Sequence, residues 1–103
     1  SIPMRTIYSQ EQINKTKLIS KIIGDSSNIL ILYELINFGE KSFNELKRMT
    51  DINAVTLSKK LNLLKAEGLV DCRECGKKNR YYITKKSEEI RPLIKDIEKI
   101  VTK

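Results

Sequence analysis

Apolar residues recur at helical intervals up to Gly68, alternate briefly after it, and then return to helical spacing. From Gln10 to Ile23, the residues Ile13, Leu18, Ile19, Ile22 and Ile23 form a loose helical stripe that Gly24 closes. Ser26 or Ser27 is placed to cap a second helix. Its apolar positions Ile29, Leu30, Leu32, Tyr33, Leu35 and Ile36 run nearly all round, the pattern of a helix buried on most sides, and Gly39 ends it. Ser42-Phe43-Asn44-Glu45 has capping-box spacing and opens a short helix, with Phe43, Leu46 and Met49 inward and Lys47 and Arg48 outward. Thr50-Asp51-Ile52-Asn53 reads as a tight polar turn with one apolar anchor. The next helix runs from Ala54 to about Glu67, with Leu57, Leu61 and Leu64 on one side and Gly68 at its end.

After Gly68, Leu69–Arg73 and Arg80–Thr84 are rich in strand formers and flank the turn-like Gly76-Lys77-Lys78-Asn79. They predict a short hairpin with a basic tip. Ile90, Leu93, Ile94, Ile97, Ile100 and Val101 then follow 3/4 spacing in a helix from about Lys86, with Pro92 in its first turns. Residues 1–9 show no period and contain Pro3, so they read as an arm before a domain spanning 10–103.

Composition narrows the function classes. A chain of 103 residues fits one small core. No apolar run is long enough for a membrane span. No secretion signal is evident and there are only two cysteines, so the cytoplasm is the expected compartment. Histidine is absent, and neither a glycine-rich phosphate loop nor a paired nucleophile and base is present. A binding protein without a cofactor is therefore expected, and not an enzyme.

Charge adds a location. Lys41–Lys86 holds 12 Lys and Arg against 5 Asp and Glu, whereas the remaining residues hold 8 of each sign. The whole net charge of +7 thus lies in one block. A solubility device would spread its charge; this is a patch for an acidic partner.

Two helices joined by a tight turn, followed by a basic hairpin, suit duplex DNA. The second helix enters the major groove while the first crosses the backbone. On its outward face Ala54, Val55, Ser58, Lys59 and Asn62 have the side chains that read base edges. Val55 suits a thymine methyl, Asn62 suits adenine, and Lys59 reaches guanine or a phosphate. An ordinary solvated face is the plain alternative, but an outward Val55 is hard to justify there. Thr56 and Ser58 are candidates for phosphates, and Asn53 stands at the head of the same helix. Lys77, Lys78 and Arg80 at the hairpin, with Ser42, Lys47 and Arg48, are candidate backbone contacts. For these the alternatives are a solubilising loop and simple capping. Tyr81 and Tyr82 alternate on one strand, so one is expected in the core.

The run Ser42-Phe43-Asn44-Glu45-Leu46, then Leu57-Ser58-Lys59-Lys60-Leu61 with Leu64, Glu67-Gly68-Leu69-Val70 and Tyr82-Ile83-Thr84 resembles winged helix-turn-helix transcription regulators. The likeness spans about Ser27 to Val101 and is nearest to the HxlR type, with MarR and ArsR types behind. It departs from the HxlR pattern in three ways: no tryptophan where Asn28 stands, a short wing without proline, and no N-terminal cysteine. The resemblance implies an α+β winged helix, mostly helical, with a two-stranded hairpin wing. It implies a homodimeric regulator of double-stranded DNA.

The final apolar seam exceeds what one small domain can easily cover. Helices 10–24 and 86–103 are therefore expected to dimerise through Ile19, Ile22, Ile90, Leu93, Ile94, Ile97, Ile100 and Val101. Cys72 and Cys75 form Cys-x-x-Cys-Gly-Lys, the outline of a zinc knuckle, yet tetrahedral zinc needs four ligands and no histidine is available. A disulfide needs the strand to end near Cys72, because three extended residues span about 10 Å. The pair stays open between no special role, thiol sensing and a metal site completed from elsewhere. The rival functions are a protein-interaction module and a thiol- or metal-responsive regulator.

Overall fold

The computed structural model describes residues 7–75 and 78–101, with the backbone alone at Ile23, Cys75, Ile97, Glu98, Ile100 and Val101. The sequence expectations for residues 1–6, for Lys77 and for the side chains of Ile97, Ile100 and Val101 lie outside the described residues.

Helix α2 (Ser26–Phe38) forms the hub, because Ile31, Leu32, Leu35 and Ile36 give it an apolar circumference. It packs on α1 (Gln10–Ile23), α3 (Phe43–Thr50), α4 (Ala54–Ala66), α5 (Arg91–Val101) and strand β3 (Lys78–Ile83). Its cap is Asp25 and not Ser26 or Ser27: the Asp25 carboxylate accepts from the amides of Ser27 and Asn28. Carboxylate and amide dipole attract at a helix start, and the serines become the first turn. Ile31 is fully buried, while Leu30 is 45% exposed, reversing the expected inward position.

Helix α3 has only eight residues, too few to persist alone. Two things hold it: the fully buried Leu46, and the reciprocal box between Ser42 and Glu45. Met49, expected inward, is 56% exposed. Each i+3 step on a helix rotates about 60° backwards, so a side chain six positions beyond Phe43 has left its face. Ile52 is buried and anchors the turn into α4, whose Leu57, Leu61 and Leu64 are all within the core.

The sheet has three antiparallel strands in the order β1-β3-β2, where the sequence suggested two. The added strand β1 (Lys41–Ser42) pairs Lys41 with Tyr81 and Ser42 with Arg80. Two residues are too few to display a period. Strand β2 (Val70–Cys75) pairs with β3 from Val70↔Ile83 to Cys75↔Lys78. Lys78 and Asn79, read as turn residues, therefore belong to the strand.

The expected last helix is interrupted. Lys85–Glu89 forms a 3₁₀ turn before α5 begins at Arg91. The fully buried Ser87 donates its hydroxyl to the Leu69 carbonyl, and Thr84 donates to Gly68 at 2.5 Å. These bonds stitch the return from the wing onto the end of α4. Ile90 and Ile94 then enter the chain's own core together with Ile22. This corrects their expected place in a dimer interface, since a side chain buried within one chain leaves no surface for another.

Gly39 ends α2 at φ 82°, ψ −172°, a region essentially reserved for glycine. A Cβ there would meet nothing within 4 Å, so any cost of adding one is purely backbone strain. Gly39→Ala should lower stability by about 1–3 kcal/mol, read as a shift in the urea unfolding midpoint at unchanged slope.

Candidate nucleic-acid interface

The turn between α3 and α4 is only Asp51-Ile52-Asn53, and its geometry is set residue by residue. Asp51 takes a left-handed conformation (φ 57°) and donates its amide to the Lys47 carbonyl at 3.0 Å. Ile52 plunges into the core, and Asn53 accepts the Thr56 amide at 2.9 Å to start α4. The leucine side of α4 is thereby fixed inward. Its opposite face must then look out: Ala54, Ser58, Lys59 and Asn62 are exposed, Thr56 is half-buried, and Val55 is 66% exposed. Val55 thus places an open apolar, β-branched side chain among the polar residues of this face.

Two open clefts adjoin α3. One is lined by Asn44, Lys47, Arg48, Asp51, Ile52 and Asn53, at the helix-turn-helix corner. The other is lined by Ser42, Phe43, Asn44, Lys78, Asn79 and Tyr81, where the wing meets the start of α3. Asn44, exposed in α3, borders both. Sequence reasoning missed it, although its place as an outward residue inside a capping box was legible.

The basic block divides into two populations. Lys47, Arg48, Lys59 and Lys78 are exposed, and among the described residues none of them has an ion-pair partner. Others are neutralised from behind. Lys60 of α4 pairs with Asp25 at the head of α2. Arg80 pairs with Glu45 at 2.8 Å and faces Glu40 at 3.6 Å, while Arg73 pairs with Glu40 at 2.6 Å. Arg80, a candidate phosphate contact in the sequence, is thus half-buried and turned toward acids. Ser42, another candidate, is buried, and its hydroxyl accepts the Glu45 amide as a helix cap. Tyr81 packs on the core, and Tyr82 is also half-buried.

These pairings leave their mark on the acids. The Lys60 ammonium hydrogen-bonded to Asp25 holds that carboxyl below its ordinary range, and Arg73 does the same for Glu40. Glu45 is lowered first by the Ser42 amide it accepts and then by Arg80.

The cysteines are separated by the fold. Strand β2 runs unbroken from Val70 to Cys75, so the backbone of Cys72 and Cys75 stands three extended steps apart, about 10 Å. That exceeds bridging distance, and no internal disulfide fits this strand. Lys65 of α4 lies 3.3 Å from the Cys72 sulfur, whose hydrogen bond raises the lysine's pKa. Among the described residues no cluster of three or more Cys, Asp or Glu side chains is arranged to hold a metal ion.

A tight two-helix corner with an outward second helix, and an antiparallel hairpin set beside it on a three-stranded sheet, define a winged helix-turn-helix fold. Residues 22–103 match the profile of the HxlR-like helix-turn-helix, and the chain belongs to that family. No curated protein sequence matches it. Among solved structures, the transcriptional repressor BigR from Xylella fastidiosa superposes with TM-score 0.77 at 24% identity, over 88% of this chain and 90% of that one. HlyU from Vibrio cholerae gives 0.78 at 22%, over 92% and 100%. Diamide-treated YodB from B. subtilis gives 0.69 at 22%, over 82% and 86%. At these identities the likeness is one of fold. Among the described residues no helix is long and apolar enough to cross a membrane.

Because Asp25, Glu40 and Glu45 are lowered in the folded chain, their ion pairs stabilise it fully above the unfolded carboxylate range, about pH 4. That contribution disappears as pH falls through the lowered folded values. Thermal unfolding should therefore be nearly flat from about pH 7 to 5 and drop steeply below about pH 4. Asp25→Asn keeps a competent cap and loses the Lys60 pair. It should lower the neutral-pH melting temperature and make the acid limb shallower, as followed by circular dichroism.

Proposed function

We propose that this protein is a homodimeric regulator that binds double-stranded DNA in a sequence-dependent way, in the cytoplasm, by binding alone and without catalysis. One observation carries the reading: the outward face of α4 sets Val55 open beside Ser58, Lys59 and Asn62, and among the described residues Lys47, Arg48, Lys59 and Lys78 are exposed without an ion-pair partner. Lys47, Arg48 and the wing's Lys78 supply affinity through phosphates, and Asn44 and Asn53 border the same surface. Lys77, which lies outside the described residues, joins them in this proposal.

The dimer half of the proposal rests on α1. Residues 10–17 are exposed, and apart from the Lys15–Glu89 ion pair at 3.9 Å the helix packs on the body from Leu18 onward. A free-standing stretch of this length gains little stability from its own hydrogen bonds. Ile13 and the preceding Tyr8 offer apolar surface there. Together with the half-buried Ile19 and Leu93, they supply the apolar surface from which a second copy would draw its contacts.

A second reading, thiol responsiveness, is favoured by the Lys65–Cys72 contact, which sets an ammonium 3.3 Å from the half-buried Cys72 sulfur. Diamide altering the DNA affinity of the wild type but not of Cys72→Ser would establish it.

Affinity for duplex DNA should fall with salt at a log–log slope of about −0.9 per phosphate neutralised; equal affinity across a tenfold salt range removes the reading. Val55→Ala or Asn62→Ala should cost about 1–3 kcal/mol on the preferred sequence and less on random duplex. Equal losses on both would reassign these residues to backbone contacts. Sedimentation should show a dimer that Ile13→Asp converts to monomer, and the preferred site should be roughly palindromic, with half-sites about one helical turn apart.

A further inference from the structure

The register of β2 and β3 sets Arg73 directly opposite Arg80. Like charges in that position repel, so a nearby carboxylate stabilises the pair. Relief comes from the segment leading into α3. The Glu40 carboxylate lies 2.6 Å from the Arg73 guanidinium and 3.6 Å from Arg80 Nε. Arg80 Nη2 donates to the Glu40 backbone carbonyl at 3.2 Å, and Nη1 donates to Glu45 Oε1 at 2.8 Å. That same Glu45 oxygen accepts the Ser42 amide at 3.1 Å to close the capping box of α3. Ser42 is in turn the β1 partner of Arg80. One carboxylate therefore closes the first turn of α3 and grips the central strand of the wing.

We propose that Arg80 is a positioning residue: its guanidinium, forked between Glu45 and Glu40, fixes the wing against the start of α3, and it does not serve as a phosphate contact. The proposal rests on the DNA-binding reading only for its effect on affinity; the clamp itself is a property of the free protein. All three guanidinium nitrogens already face acceptors, and the side chain is 29% exposed, against 34% for Glu45 and 32% for Glu40. A planar fork presents donors spread over a rigid plane toward two carboxylate-bearing residues and a carbonyl, whereas an ammonium is a compact point charge on a flexible stem. The consequence runs against simple electrostatics. Removing the negative charge of Glu45, close to a surface meant for phosphates, should weaken DNA binding because the wing loses its anchor.

The test compares Glu45→Gln, Arg80→Gln, their double variant and Arg80→Lys. Glutamine at position 45 still completes a capping box, so α3 keeps its start while the ion pair is lost. In the free protein, NMR hydrogen exchange of the backbone amides of residues 78–83 should quicken about two- to fivefold in each single variant, the range that partly exposed ion pairs command. The double variant should be no faster than either alone, and Arg80→Lys should not restore the wild-type rate. On the preferred duplex, Glu45→Gln and Arg80→Gln should weaken binding by similar factors with unchanged salt slope. Unchanged exchange in both single variants would overturn the clamp. Tighter binding by Glu45→Gln, with a salt slope about one unit shallower in Arg80→Gln, would make Arg80 a phosphate contact instead. Should the wild type bind no duplex at all, the DNA reading falls, and the exchange rates alone still support or overturn the clamp.

Discussion

Everything in this fold is placed by the burial of α2. A helix apolar on nearly every side has no stable position at a surface, so it must be wrapped, and four helices and a strand do the wrapping. Each wrapping element is short or one-sided and contributes a stripe: Leu46 from α3, the leucine triad from α4, Ile90 and Ile94 from the C-terminal segment. With their inner stripes committed to one axis, the outer faces of α3 and α4 have no freedom left. The exposed side of α4 is a result of how its leucines pack, and its orientation costs no interaction of its own.

Electrostatics then sorts the cations that this packing distributes. Acids appear where basic side chains must hold elements together: Asp25 behind α4, Glu40 and Glu45 behind the wing, Glu67 against Lys21 of α1. The front of the helix-turn-helix has almost none. Asp51 is the exception, and it occupies the left-handed turn position that short polar side chains tolerate better than most. A block of sequence with a uniform excess of positive charge thereby becomes a surface with an unneutralised front and a compensated back.

Much of this was legible from spacing. The box at Ser42 and Glu45, the leucine triad and the glycine at position 68 each carry a local geometric signal, and α3, α4 and the wing follow from them. What escaped is what local signals do not encode. A two-residue strand has no period. An all-round apolar helix does not say which of Leu30 and Ile31 faces out. A seam such as Ile90, Leu93 and Ile94 announces burial without naming what buries it, and here much of the answer is the chain's own core. Charge content also reveals nothing of pairing. Arg80 and Glu45 lie 35 positions apart, so only the fold could distinguish a clamped arginine from the open lysine two strand positions earlier.

The wing is anchored at its base and built as a plain antiparallel ladder from Val70↔Ile83 to Cys75↔Lys78, which makes it a ruler. Every residue added to both strands would lengthen it by about 3.3 Å, close to the 3.4 Å rise of one base pair. Because each single step also turns the outward side chains to the other face, only even steps preserve which residues look outward. The hairpin's length therefore changes in steps of about 6.6 Å, close to two base-pair rises.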